Sequence, residues 1–426
     1  MKQHSIDIIS MGCSKNLVDS EKLIYQLQSQ GYQVYHNPSR LHHDVAVVNT
    51  CGFIGDAKEE SVQAVLEAVE CKNRGEAREV VVFGCLSQRY MAELKEEIPE
   101  VDAWFGAREL EPVARYLGAD PGRHPFRTAP ARGYAYIKIS EGCDRRCSYC
   151  AIPFIRGPHR SVPMEKIVEE AEELAAGGVR ELILIAQDTT YYGLDLYHRR
   201  SLAELLRKLS EVPGIDRLRI HYSYPDGFPE DVLQEMASNP KVCRYLDIPL
   251  QHISDKVLGK MRRNVTSAWT RELLGRLRGE VPGVVLRTTL IVGHPGETEE
   301  EFRELLDFVR EARFERLGAF TYSEEDGTYG AEHYLDEVPE EVKQARYNAL
   351  MSMQSGISLE YNLSRVGGVE EVIVDDCVDG TLVCRSEFES PEVDGEILVK
   401  GSAPIGSMLK VRIVAADEYD LVGEIQ

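Results

Sequence analysis

The chain has 426 residues, which as a prior means two to four domains with room for sizeable apolar cores. Apolar residues make up 43% and charged residues 28%, and 71 Asp and Glu against 49 Lys and Arg give a net charge of −22. Such a surface repels nucleic acid unless a local basic patch overrides it, and no run approaches the ~18 uninterrupted apolar residues of a membrane span. No secretory signal is visible around Met1–Asp7, so the expected compartment is the cytoplasm. Ten cysteines in that compartment point to metal ligands or redox groups rather than a disulfide framework.

In chain order, the first third reads as strand then helix three times. Ile- and Val-rich runs at Ser5–Ser10, Val45–Asn49 and Glu79–Phe83 are strand-like, with helical patterns near 17–30, 56–73 and 87–97. That alternation implies a parallel sheet covered on both faces. The Pro-, Gly- and Arg-rich passage Asp120–Gly133 reads as a linker, so the first domain is expected over 1–128.

The middle third, 129–363, repeats the rhythm. Strands are expected at Tyr134–Ile139, Glu181–Ile185, Arg217–His221, Val242–Ile248, Val284–Val292 and Arg316–Tyr322. Helices fit at 163–176, 201–211, 229–238, 266–279 and 298–312, with one more at 339–361. Six strand–helix units suggest a barrel or partial barrel of parallel strands, whose chemistry sits at the strands' C-terminal ends. From Ser364 onward the text breaks into short β-prone runs, Val369–Val374, Thr381–Arg385, Glu396–Val399 and Met408–Ala415. Residues 364–426 therefore read as a small antiparallel barrel.

The strongest chemical signal is Cys143-x-x-x-Cys147-x-x-Cys150, which follows the first strand of the middle domain. Thiolates are the usual holders of iron–sulfur clusters. Three of them leave one iron of a four-iron cube open to an external ligand. The competing reading is a zinc knuckle, which wants four protein ligands; the neighbourhood offers Asp144 and His159 but no fourth cysteine at the usual spacing. Cys13, Cys51 and Cys85 each come just after one of the three N-terminal strands and before a helix. The carboxyl ends of parallel strands share one sheet edge, so these thiols are expected to converge on a second metal centre; the alternative is three separate buried thiols. Cys71, Cys243, Cys377 and Cys384 share no such register and read as core or surface thiols.

Further candidates line the middle domain. Gly293-His294-Pro295-Gly296 closes a strand and opens a helix, where glycines let a ligand approach the backbone, or else form an ordinary turn. Gln187, in the polar segment Ala186–Gly193, could hold a ribose or an amino-acid head group. Tyr149 could stack on a planar ligand or simply pack its loop. Arg145, Arg146, Arg156 and Arg160 crowd the Cys143 loop, where they could offset cluster charge or pair with a carboxylate, or form a solvated basic loop.

Glu141-Gly142-Cys143-Asp144-Arg145-Arg146-Cys147-Ser148-Tyr149-Cys150 resembles the cluster loop of radical S-adenosylmethionine (SAM) enzymes. The three N-terminal cysteines and the C-terminal β domain narrow the resemblance to the methylthiotransferases and extend it over essentially the whole chain. Met11–Glu21, Asn49–Ile54 and Cys150–Arg160 resemble the branch that modifies a ribosomal protein; the tRNA branch usually carries Gly-Cys-Gln-Met-Asn where this chain has Gly12-Cys13-Ser14-Lys15-Asn16. The resemblance implies a Rossmann-like N-terminal domain, a partial (β/α)6 radical-SAM barrel resembling a TIM barrel, and a TRAM domain resembling an OB-fold. It implies two 4Fe–4S clusters, one on Cys143, Cys147 and Cys150 and one on Cys13, Cys51 and Cys85, so that all six cysteines are metal ligands and part of the catalytic machinery. It implies SAM as cofactor, for which Tyr149, Gln187, Gly293, Pro295 and Gly296 are the candidate contacts, and an external electron donor. The implied reaction adds a methylthio group to the β-carbon of an aspartate of the twelfth small-subunit ribosomal protein, with two SAM consumed. The alternatives are a tRNA adenosine methylthiotransferase and a non-catalytic zinc adaptor.

Charge discriminates between the branches. Residues 1–130 carry a net −5, 131–363 a net −8 and 364–426 a net −9. The smallest segment is the most acidic, whereas a module that grips RNA should be basic. An acidic module suits a basic partner such as a ribosomal protein, or serves solubility alone. Strong nucleic-acid binding and membrane association are not expected.

Overall fold

The three Ile- and Val-rich runs of the first third become adjacent parallel strands. In the computed structural model, which describes residues 5–53, 55–120, 127 and 132–426, Ser5–Ser10, Val45–Thr50 and Glu79–Gly84 pair side by side in parallel. Alternate residues point to opposite faces, and both faces are covered. Val45, Val47, Val81 and Phe83 pack with Leu23 and Leu27 of the helix Ser14–Gln28, while Ala46, Val48, Val80 and Val82 pack with Val65, Ala68 and Val69 of the helix Gly55–Asn73. Two further strands, Gln33–His36 and Ala103–Trp104, complete a five-stranded sheet. The first is a polar, mostly exposed edge strand and the second has two residues, so neither offers the apolar run on which the sequence reading depends. Most of the expected linker Asp120–Gly133, and the expected boundary at 128, lie outside the described residues.

The chain divides into two compact units. The first comprises Met1–Thr128, Glu141–Arg145 and Ala151–Arg160; the second comprises Ala129–Ser140, Arg146–Cys150 and Ser161–Gln426. In the second unit, Tyr134–Lys138, Glu181–Ile185, Arg217–Ile220, Val242–Asp247, Val285–Val292 and Arg316–Thr321 form a six-stranded parallel sheet in chain order, each strand pairing with the next. It is an open, partial barrel. Ala135, Ile137, Leu182, Leu184, Leu218, Leu246 and Leu286 face the helices in one continuous apolar core.

The C-terminal segment forms a closed five-stranded barrel from Val369–Val378, Thr381–Arg385, Ile397–Lys400, Met408–Ala416 and Leu421–Ile425. Four expected runs are present, with a fifth strand at Leu421–Ile425. One pairing departs from the antiparallel expectation, because Ile397–Lys400 and Leu421–Ile425 run parallel and so close the ring. Among the described residues, no helix is long and apolar enough to cross a membrane.

The other face of the partial barrel is polar. It is filled by the segment that follows Thr381–Arg385. Arg219 is fully buried, donates to Glu181 at 2.7 Å, and donates to the carbonyls of Glu387 and Ser386 at 2.9 and 3.3 Å. Arg385 reaches back to Glu181 at 3.1 Å and also pairs with Asp375. Arg316 pairs with Glu389 at 3.2 Å, the Tyr136 and Tyr245 hydroxyls donate to Glu392 and Asp394 at 3.1 and 2.7 Å, and His221 lies 2.7 Å from the Ser390 hydroxyl. Several C-terminal carboxylates thus neutralise buried arginines of the same unit.

Burial alone would raise the Glu181 carboxyl, but Arg219, Arg385 and Arg217 hold it at about 2. The free carboxyl titrates near ~4.3. The stability Glu181 contributes is therefore complete above that pH and is lost as pH falls through the folded value. Removing one partner of such a network leaves a buried charge uncompensated, so Glu181→Gln is expected to cost ~3–5 kcal/mol. Glu299→Gln, which breaks a solvent-exposed pair with Arg303, should cost no more than ~0.5 kcal/mol. Urea unfolding followed by Trp269 fluorescence, in a Trp104→Phe background, compares the two.

Candidate functional site

The first unit places the N-terminal cysteines at equivalent points. Cys13 caps the helix Ser14–Gln28, Cys51 directly follows Val45–Thr50, and Cys85 opens the helix Cys85–Glu97 directly after Glu79–Gly84. The strands are in register, Ser10 opposite Asn49 and Thr50 opposite Gly84, so one sheet edge presents all three residues.

Backbone contacts fix the edge. Asn49 Nδ2 donates to Asn16 O at 2.8 Å and Ser20 Oγ at 2.9 Å, and Asn16 Nδ2 donates to the carbonyls of Met11 and Thr50 at 3.0 Å each. The Ser61 hydroxyl accepts from Cys51 N at 2.9 Å and donates to Cys51 O at 3.0 Å. A glycine adjoins each cysteine, and none has room for a Cβ. At Gly12, with φ +84, it would lie 2.7 Å from Cys51 Cβ; at Gly52 and Gly84 it would meet Leu86 N at 2.6 Å and Thr50 O at 2.5 Å.

The thiols feel one another. Burial raises the Cys51 thiol to about 11, and the charges of Cys85 and Cys13 add to the rise. Cys85 is raised by burial against the pull of Arg156, and Cys13 adds to that rise. Solvent reaches Cys13, yet protein surrounds it densely enough for desolvation to push its thiol up; Lys15, the Asn16 N–H and Arg156 outweigh this and hold it below its ordinary value.

Three thiols are the donor chemistry of an iron–sulfur cluster, whereas a structural zinc wants four protein ligands. Among the described residues, Asp7, His42 and His43 bring three potential donor atoms within 4.8 Å of one another. The sequence reading passed over that Asp7 group. Its buried carboxylate pairs with His43 Nδ1 at 2.5 Å and accepts from the His42 and His43 backbone N–H groups at 2.9 and 3.2 Å, anchoring a loop.

Arg156 departs from the sequence expectation. It follows the Cys143 loop, but its buried guanidinium lies among the N-terminal residues. Nη1 pairs with Asp19 at 2.8 Å and Glu141 at 3.4 Å, and Nη2 donates to Asn16 Oδ1 at 2.5 Å and Cys85 Sγ at 3.4 Å. The helix Ile152–Arg156 brings it there, with Ala151 and Ile155 packing against Cys85 and Ala107. A cavity of about 700 Å³ adjoins this cluster, lined by Asp19, Arg108, Glu141, Arg156 and Arg160 among others.

Each unit holds part of the Cys143–Cys150 segment. Cys143 belongs to the first, where its N–H donates to Gly157 O at 3.0 Å and Asp144 accepts from His159 N at 3.0 Å. Cys147 and Cys150 belong to the second, where Cys150 N donates to Cys147 O at 3.2 Å and Ser148 N to Met261 O at 3.0 Å. Arg263 donates to the Tyr149 hydroxyl at 3.1 Å and stacks over Tyr224 with 4.3 Å to the ring centroid, which fixes the Tyr149 ring. Gln187 follows Glu181–Ile185 and is half-buried. In the Gly293–Gly296 turn, added Cβ atoms would strike Lys343 at Gly293 and Lys260 at Gly296, at 2.4 and 2.3 Å. The turn is braced by Glu297, which accepts from Gly293 N at 3.1 Å and pairs with Arg346 at 2.8 Å. Lys343 and Lys260 thus pack directly against the two glycines. Of the remaining thiols, Cys71, Cys243 and Cys384 are buried and Cys377 is exposed.

Three family profiles match the chain: Uncharacterized protein family UPF0004 over 5–106, the Radical SAM superfamily over 137–309 and the TRAM domain over 366–425. The chain is 52% identical over 433 residues to the ribosomal protein uS12 methylthiotransferase RimO of Porphyromonas gingivalis, and 50% identical over 431 residues to that of Bacteroides fragilis, with 100% of both chains covered in each case. Among solved structures, the radical SAM methyltransferase TsrM from Kitasatospora setae superposes with a TM-score of 0.55 at 18% identity over 75% of each chain. The cobalamin-dependent enzyme OxsB superposes at 0.54 and 13% identity over 83% of this chain and 56% of its own. At those identities the two structures speak for the fold.

The edge makes its own prediction. Gly12→Ala combines a left-handed backbone with overpacking against Cys51 and should cost ~2–4 kcal/mol. Gly75→Ala has a similar φ of +75 with nothing within 4 Å and should cost only ~1–2 kcal/mol. Trp104 fluorescence during urea unfolding, in a Trp269→Phe background, measures both.

Proposed function

The chain belongs to the RimO family of radical SAM methylthiotransferases, and from that premise we propose that it adds a methylthio group to the β-carbon of an aspartate of ribosomal protein uS12. The observation that carries the proposal is the placement of Cys13, Cys51 and Cys85 at the ends of three adjacent parallel strands. With Cys143, Cys147 and Cys150 they supply two three-thiol sets, each fit for one 4Fe–4S cluster with an open iron. The relatives are ribosomal-protein enzymes, which does not favour the tRNA alternative. A structural zinc wants four protein ligands, and the N-terminal trio supplies three.

When bound, the clusters and SAM supply the radical and sulfur chemistry that acid–base side chains lack. The protein's own groups hold and orient. Asn16, Asn49 and Ser61 fix the backbone around the N-terminal thiols, and Arg263 fixes Tyr149. We assign Tyr149, Gln187, Gly293, Pro295 and Gly296 to SAM. An external donor supplies electrons, and a ribosomal substrate places the reaction in the cytoplasm.

The C-terminal barrel contributes to substrate encounter through the acidic residues that internal arginines leave exposed, among them Glu371, Asp376, Asp379, Asp417, Glu418 and Glu424. They suit a basic protein partner and speed its association at low salt.

Mass spectrometry of uS12 from the host with and without this gene tests the proposal: the gene should add one CH₂S unit to a single aspartate, and identical uS12 in both strains contradicts it. In vitro, Cys147→Ala should abolish SAM cleavage, whereas Cys51→Ala should spare cleavage and stop product formation.

A further inference from the structure

Arg156 is a buried cation whose fork is divided between acidic partners and a cysteine sulfur. Nη1 faces Asp19 at 2.8 Å, Glu141 at 3.4 Å and the Ala107 carbonyl at 3.5 Å, while Nη2 faces Asn16 Oδ1 and Cys85 Sγ. With the thiol protonated, Cys85 Sγ donates to Asn16 Oδ1 at 3.6 Å. Both Asn16 Nδ2 hydrogens are committed to the Met11 and Thr50 carbonyls, so its Oδ1 stays turned toward Cys85 and Arg156. Metal ligation removes the thiol proton. The sulfur then only accepts, and Arg156 Nη2 is the charged donor already facing it.

We propose that Arg156 is the positioning residue of the Cys13, Cys51 and Cys85 centre, donating to the Cys85 sulfur and setting the reduction potential of the cluster bound there. The inference rests on the reading of that trio as cluster ligands. A cation 3.4 Å from a ligand sulfur stabilises the more negative, reduced cluster and so raises its potential. Asp19 and Glu141 hold the guanidinium in place and temper the effect. Lysine cannot reproduce it, because a single ammonium cannot face both the Asp19 side and the Cys85 side as the planar fork does.

The test uses full-length protein with Cys143→Ala, Cys147→Ala and Cys150→Ala, which leaves the N-terminal trio as the remaining site. Into this parent go Arg156→Lys, and separately the pair Arg156→Gln with Asp19→Asn, which removes the cation without stranding its nearest carboxylate. After anaerobic reconstitution, iron and sulfide are assayed and the midpoint potential is read by EPR-monitored titration. The expected result is iron content equal to the parent's with a more negative potential, the shift larger in the Gln/Asn pair than in Arg156→Lys. Loaded variants at the parent's potential would overturn the inference. So would variants that keep the parent's circular dichroism yet bind no iron, because Arg156 would then serve assembly of the centre rather than its potential. A parent that binds no iron contradicts the reading of the trio itself, a failure distinct from that of Arg156.

Discussion

Cys13, Cys51 and Cys85 stand at one sheet edge, where the charge of one ionised thiol opposes ionisation of the next. The N-terminal unit is organised around this constraint. Parallel pairing of Ser5–Ser10, Val45–Thr50 and Glu79–Gly84 delivers the cysteines in register. Glycines beside them let the loops close, and burial raises Cys51 and Cys85. Ionising these thiols without a compensating positive charge is therefore costly.

The second unit solves a different electrostatic problem. The polar face of its partial barrel carries Arg219, Arg287 and Arg316, and the segment after Arg385 supplies Glu389 and Asp394 to them or beside them. The acidity of the C-terminal segment therefore has two uses. Part of it is internal, locking the small barrel to the six-stranded sheet. Only the remainder is exposed to a partner, so net charge by itself overstates the recognition surface.

The parallel sheets, the six-strand rhythm and the placement of Cys13, Cys51 and Cys85 at three strand ends were legible because each rests on a local signal: an apolar run, a helix after it, a thiol at the junction. The edge strand Gln33–His36 and the closing strand Leu421–Ile425 were not, since polar or largely exposed strands carry little apolar pattern. The destination of Arg156 was also hidden. Sequence places it among the arginines of the Cys143 loop, and only the short helix Ile152–Arg156 carries it to Cys85. Likewise, nothing in the sequence shows that Lys343 and Lys260 pack against Gly293 and Gly296. Long-range packing decides such cases, and periodicity does not encode it.

The central claim is that this chain carries two separate clusters on two cysteine trios. Its most direct measurement is iron and acid-labile sulfide per chain after anaerobic reconstitution of the natural protein, the Cys13/Cys51/Cys85→Ala variant and the Cys143/Cys147/Cys150→Ala variant. The account predicts about eight irons in the first and about four in each of the others. Full iron retention in the Cys13/Cys51/Cys85→Ala variant would contradict it.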